Sequence, residues 1–139
     1  MRTCGRLVAV VPLAALACAL GSRTGGPAAT PTDTPDARAT PYAQEPAAGI
    51  CAEPEGDEVV VTLEPGIADP RCLIVHPDQH LRIINRGGTE VTVSLGPFAA
   101  VLPAAGDATL GPAFGDYLMP GVHQLQVDPC CGGELWLKE

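Results

Sequence analysis

Apolar and polar residues alternate in short runs through the second part of the chain. The alternation covers residues 59–63, 81–84, 91–95 and 122–127, and residues 72–75 form a further short apolar run. Side chains two residues apart lie on the same face of a β-strand. The pattern therefore predicts short strands, each with one buried face, and no run shows the period of a helix.

Turn-forming residues separate these runs. Pro-Gly occurs at residues 65–66 and 120–121, Arg-Gly-Gly at 86–88 and Gly-Pro at 96–97. Glycine and proline supply the backbone conformations that tight turns require. Many short strands separated by such turns predict an all-β domain, either a sandwich or a barrel. Residues 49–139 suffice for one such domain with little surplus stability.

The last two strands have clear predicted faces. In the penultimate strand His123 shares a face with Leu125 and Val127, at the edge of the core. In the last strand Leu135 and its neighbour two residues on point inward, whereas Trp136 points outward.

The amino-terminal segment has the features of an export signal. Arg2 and Arg6 precede an apolar run over residues 7–17, and residues 15–17 (Ala-Leu-Ala) have the small-x-small pattern of a cleavage site. The apolar stretch ends by residue 20, too short for a bilayer span of roughly 20 residues. We therefore expect a signal peptide over residues 1–17.

Cys18 directly follows that pattern and resembles the acylated cysteine of bacterial lipoproteins, although Ala15 stands where those proteins usually have leucine. Cleavage removes Cys4 and leaves five cysteines, an odd number in an oxidising compartment unless Cys18 carries a lipid. We expect an anchor on Cys18 at the outer face of the cytoplasmic membrane. Release as a secreted or periplasmic protein is the alternative.

Residues 18–48 are predicted to be the lipid-anchor cysteine and a disordered linker. Residues 21–48 are rich in Ala, Pro and Thr and contain no Val, Ile, Leu, Met or Phe. Such a segment cannot form a core.

The predicted domain is strongly acidic. Residues 49–139 hold 13 Asp and Glu against four Arg and Lys, a net charge of −9. This charge argues against nucleic acid as a partner.

The end of the chain resembles a cupredoxin. The Pro-Gly turn at 120–121 leads into one strand and the Gly-rich loop at 132–133 into the last, and an earlier strand ends in Asn85. The resemblance implies a small Greek-key β-sandwich over residues 49–139. In cupredoxins a copper-binding His follows the Asn by about six residues, and a Cys ends the penultimate strand. Here Val91 and Val127 stand at those places.

Type 1 copper needs two imidazoles and a thiolate. The resemblance therefore implies the fold without its copper ligands, and no cofactor is expected, although copper could bind elsewhere. His76, His80 and His123 are the remaining candidate metal ligands.

Four cysteines remain in the domain, and they allow three disulfide pairings. They are Cys51, Cys72, Cys130 and Cys131. Cupredoxin topology favours Cys72 with one member of the Cys130-Cys131 pair and Cys51 with the other. A redox-active bond between the two adjacent cysteines, or a metal bound by them, are the alternatives.

An enzyme is not expected. The domain has no Gly-x-Ser-x-Gly motif, and its single serine, Ser94, lies within a predicted strand. The resulting hypothesis is an exported, lipid-anchored, non-catalytic binding or structural module of the cell envelope, with an unknown envelope protein as partner. The alternatives are an extracytoplasmic copper or other metal carrier, used in metal or electron transfer, and a thiol redox sensor using Cys130 and Cys131.

Overall fold

The computed structural model describes residues 37–65 and 67–139. The expected signal peptide, Cys18 and the linker up to residue 36 lie outside the described residues. In chain order the elements are β1 (Glu58–Glu64), β2 (Ile67–Asp69), β3 (Cys72–Val75), β4 (His80–Asn85), β5 (Val91–Leu95), β6 (Phe98–Leu102), β7 (Asp107–Leu110), α1 (Phe114–Tyr117), β8 (Gly121–Asp128) and β9 (Gly133–Leu137). In the described part of the chain no helix is long and apolar enough to cross a membrane.

The strands form two sheets. The four-stranded sheet has the order β2-β1-β4-β7, and the five-stranded sheet has the order β3-β9-β8-β5-β6. Strand β1 runs parallel to β4 and β3 parallel to β9, and the other pairs are antiparallel. The predicted all-β sandwich is confirmed.

The core lies between the two sheets and follows from the period-two pattern. Val59, Val61 and Leu63 of β1 are buried, and so are Leu81 and Ile83 of the neighbouring β4. The five-stranded sheet contributes the alternate residues of β5, β8 and β9 to the same cluster. Full burial of one such aliphatic side chain contributes about 1.5–3 kcal/mol.

The predicted faces of the last two strands are confirmed, with one difference. His123 and Leu125 are buried, and Trp136 of β9 is half-buried on the outer face, with the Lys138 ammonium 3.2 Å from its ring centroid. Val122, predicted on the opposite face from His123, is also fully buried. A segment that precedes the sandwich covers it.

That covering segment, residues 39–48, is called the strap below. The Ala39 amide donates to the Tyr117 carbonyl at 2.7 Å, and the Tyr42 amide donates to the Val122 carbonyl at 3.0 Å. The Val122 amide in turn donates to the Ala43 carbonyl at 2.8 Å. The expectation of a disordered linker up to residue 48 is therefore wrong for the strap, which packs on the sandwich through backbone groups.

The disulfide pairing also differs from the expectation. Cys51 is bonded to Cys72, with Cα atoms 4.5 Å apart, and Cys130 is bonded to Cys131. The cause is a short parallel bridge of Ala52 to β3, in which the Ala52 amide donates to the Cys72 carbonyl. This bridge places Cys51 beside Cys72, so the pairing of either residue with Cys130 or Cys131 is wrong.

Gly132 provides a test of the loop between β8 and β9. A Cβ atom at this position would overlap the carbonyl oxygen of Leu125, whereas a Cβ at Gly88 would meet no atom within 4 Å. We expect Gly132→Ala to lower the free energy of unfolding by about 2 kcal/mol or more, and the matched Gly88→Ala to change it by less than about 0.5 kcal/mol. Urea denaturation measures both, and equal stabilities of the two variants would contradict the packing of this loop.

Candidate functional site

The two positions that the cupredoxin resemblance matches to copper ligands meet at one end of the sandwich. Val91 and Val127 line one small cavity of about 100 Å³, together with Asn85 and Cys130. Val91 is at the start of β5 and Val127 is near the end of β8, strands that pair antiparallel. The resemblance noted in the sequence therefore points to two residues that lie close together in the fold.

Asn85 holds this end of the sandwich together. Its side-chain Nδ2 donates to the carbonyls of Thr89 at 2.8 Å and Pro103 at 2.9 Å, and its Oδ1 accepts the Gly87 amide at 2.9 Å. The residue is 1% exposed. Both the donor and the acceptor groups of the amide are thus used by backbone, and Asn85 has a structural role in ordering the two loops around the cavity.

The residues around the cavity do not fit a type 1 copper ion. A valine side chain has no lone pair, so Val91 and Val127 cannot replace the imidazole and the thiolate that such a site needs. Of the residues that the structure describes, Cys130 is the one sulfur-containing residue that lines the cavity, and its sulfur is bonded to Cys131. The cavity is therefore apolar where cupredoxin chemistry would require ligands.

The three candidate histidines have separate surroundings. His76 lies before the β3–β4 turn, with Nε2 3.2 Å from Glu53 Oε1. His80 is exposed at the start of β4, and His123 is buried in β8, where Nε2 donates to the Met119 carbonyl at 2.7 Å. Within residues 37–65 and 67–139 no group of three or more His, Cys, Asp or Glu side chains is arranged to hold a metal ion.

The sequence did not single out Gln79 as a site residue. Its side chain holds the backbone of His76 in place. Gln79 is buried, its Oε1 accepts the His76 amide at 2.9 Å, and its Nε2 donates to the Gly56 carbonyl at 2.7 Å. The side chain thus connects the β3–β4 turn to the segment before β1. A glutamine two residues after a turn proline is a weak signal for this role.

Glu134 is the second residue that the sequence did not single out. Its carboxylate accepts the Tyr42 hydroxyl, the Ala47 amide at 3.3 Å and the Ala48 amide at 2.9 Å. These three bonds fix the end of the strap on β9, and we call them the latch. The hydrogen bond from Tyr42 is the main cause that lowers the pKa of Glu134, and the same bond raises the pKa of Tyr42 to about 12.

The Cys130-Cys131 pair lies in the exposed loop between β8 and β9. Cys130 faces the apolar cavity, whereas Cys131 lines a separate shallow depression with Arg71 and Glu134. The Cys131 carbonyl accepts the Ala68 amide of β2 at 3.3 Å. The pair therefore lies between two pockets and contacts both sheets.

Solved structures of amicyanin, a cupredoxin, are similar to this chain. A methionine-to-alanine mutant in the Cu(I) form has a TM-score of 0.48 and 16% identity, covering 72% of this chain and 93% of that chain. Amicyanin from Paracoccus versutus has a TM-score of 0.48 and 11% identity, covering 66% and 87%. An oxidised proline-to-alanine mutant has a TM-score of 0.48 and 13% identity, covering 59% and 83%. No protein-family model and no curated protein matches the chain.

The latch predicts a pH-dependent protection of the strap. Because the folded pKa of Glu134 is lowered, its contribution is complete above the ordinary carboxyl pKa and is lost as the pH falls through the folded value. We expect Glu134→Gln to speed hydrogen exchange of the Ala47 and Ala48 amides about five- to tenfold at neutral pH. The matched Glu45→Gln, on the exposed side of the strap, should leave exchange unchanged. Equal exchange in the two variants would contradict the latch.

Proposed function

We propose that this protein is an exported, lipid-anchored binding module of a bacterial cell envelope. Its domain is a cupredoxin-like sandwich that holds no type 1 copper and catalyses no reaction. The observation that carries the proposal is the apolar cavity closed by Val91 and Val127, in the place where the resemblance would put copper ligands. The domain has a cupredoxin-like fold with aliphatic side chains at the positions matched to ligands. Because the cavity then offers no ligand atoms, we infer that the function lies on the surface of the domain.

The edge strand of the five-stranded sheet supports contact with a protein. Strand β6 is the last strand of that sheet, and residues 91–106 contain no charged side chain although residues 49–139 carry a net charge of −9. Val101, the fourth of the five residues of β6, is 58% exposed. Natural sheet edges are usually protected by charges, proline or bulges, so an uncharged edge favours the addition of a partner strand.

The position of the strap bears on how the domain would be displayed. If Cys18 carries the lipid, 18 residues (19–36) separate the anchor from the first residue that the structure describes. A chain of 18 residues spans at most about 60 Å even when fully extended. The sandwich would then stay close to the membrane that anchors it.

Metal titration separates this proposal from a metal carrier. We expect the mature chain from Cys18, titrated with copper and then zinc, to give no stoichiometric binding by calorimetry and no blue Cu–thiolate absorption, because the cavity lacks ligand atoms. Replacement of His76, His80 or His123 by Ala should leave the titration unchanged. One-to-one binding at micromolar affinity or tighter that is lost in one of these variants would overturn the copper-free proposal.

Crosslinking in cells tests the binding role. We expect a photo-crosslinking residue at Val101 to capture one discrete envelope protein, and the same residue at exposed Val60, on the outer face of β1 in the other sheet, to capture none. Cys18→Ser should release the chain from the membrane fraction and weaken the crosslink at Val101. Equal labelling at the two positions, or membrane retention of the Cys18→Ser variant, would contradict the proposal.

A further inference from the structure

The two disulfides of the domain have different surroundings. Cys72 is 3% exposed at the start of β3, and Cys51 is half-buried beside it. Cys130 and Cys131 are both exposed in the loop that joins β8, which ends at Asp128, to β9. The second pair is therefore more open to attack by a thiolate from solution than the first.

The second pair also contributes little to holding the chain together. A disulfide stabilises a fold chiefly by closing a loop in the unfolded chain. The Cys51–Cys72 bond spans 21 residues, whereas Cys130 and Cys131 are neighbours and close no loop between distant segments. The stability of the fold therefore gives no reason for this bond.

Adjacency makes the second pair the easier one to reduce. A trans peptide sets the Cα atoms of neighbours about 3.8 Å apart, below the usual range of about 4.4–6.8 Å for disulfides. The Cys51–Cys72 separation of 4.5 Å falls inside that range. Disulfides outside the usual geometry, and exposed ones, are the labile and regulatory ones.

Arg71 brings a positive charge to the depression that Cys131 lines. Arg71 is exposed and lines the same depression as Cys131, and within the described residues it makes no ion pair. Arg82 and Arg86 are paired with carboxylates, and Lys138 lies on Trp136. A neighbouring guanidinium favours a thiolate over a thiol. Glu134, in the same depression, already accepts the bonds of the latch.

We propose that Cys130 and Cys131 form a thiol–disulfide exchange site for an extracytoplasmic dithiol reductant. A thiolate of the reductant attacks Cys130 Sγ, the Sγ–Sγ bond breaks, and Cys131 leaves as a thiolate beside Arg71 and then takes a proton. The second thiol of the reductant loses its proton and attacks the mixed disulfide, which frees Cys130 as a thiol. The pair gains two electrons and two protons, and the reductant becomes a disulfide.

Reduction of the Cys130–Cys131 bond would affect the rest of the molecule through the contacts of the β8–β9 loop. The Cys131 carbonyl holds the Ala68 amide of the other sheet, and Cys130 lines the cavity with Val91 and Val127. Opening the bond frees the loop to move at both contacts. The physiological part of this inference rests on the export that the proposed function assumes, whereas the chemistry can be tested on the purified chain.

The experiment is a redox titration of the mature chain in buffers of reduced and oxidised dithiothreitol, with acid quenching, alkylation and mass spectrometry of the four cysteines. We expect Cys130 and Cys131 to be reduced at a dithiol ratio at least tenfold lower than Cys51 and Cys72. The Ala68 amide resonance should shift with the first transition and not with the second. Arg71→Gln should slow reduction about three- to tenfold, and the charge-matched Arg86→Gln should leave the rate unchanged.

Three results would overturn the proposal. They are free thiols at both positions in protein exported to an oxidising compartment, reduction of both disulfides over the same range, and reduction of the Cys51–Cys72 bond first. Equal rates in the Arg71→Gln and Arg86→Gln variants would overturn the role of Arg71. A protein that fails the membrane and crosslinking tests but passes this one would keep the exchange site and lose the binding role, so the two proposals fail separately.

Discussion

Burial of one face of each sheet against the other is the constraint on which the rest of the structure depends. A chain of this size has little core to spare, so the inward residues of nearly every strand must be apolar. The inward rows of β1, β4, β5 and β9 meet this requirement almost without exception. Once these rows are packed, the pairing of β5 with β8 brings positions 91 and 127 to the same end of the sandwich. Valine at both positions extends the apolar core to this end of the sandwich.

A single buried polar side chain makes that apolar end possible. The loops that close it, residues 86–90 and 103–106, have backbone groups that the sheets cannot pair. Asn85 accepts from one of these loops and donates to both, and a buried amide that left these bonds unmade would cost about 1–3 kcal/mol for each unsatisfied group. The asparagine therefore belongs to the scaffold and not to copper chemistry. Its structural role does not depend on a metal, so it is compatible with valine at positions 91 and 127.

The sequence predicted the features that depend on side-chain periodicity and missed those that depend on backbone contacts. The inward faces of β8 and β9 follow from the spacing of Leu125 and Leu135, so they could be read directly. The strap is held by amides and carbonyls of alanines such as Ala39 and Ala43, and composition carries no signal for such bonds. The Cys51–Cys72 bond likewise depends on the Ala52 bridge to β3, a register that no local pattern encodes. The latch needs a glutamate and a tyrosine 92 residues apart, and only the folded chain brings them together.

The loop between β8 and β9 lies outside the packed core, so its residues are less constrained by the burial of the two sheets. Gly132 packs against the backbone of Leu125, and the Cys131 carbonyl accepts the Ala68 amide, so contacts within the protein hold the loop. The two sulfurs between these contacts are exposed and close no long loop, so we expect their bond to add little to the stability of the fold. A disulfide that can break without unfolding the protein can be reduced and oxidised reversibly. Because Cys130 also borders the aliphatic cavity, a change in that bond would act on the end of the sandwich where Val91 and Val127 lie.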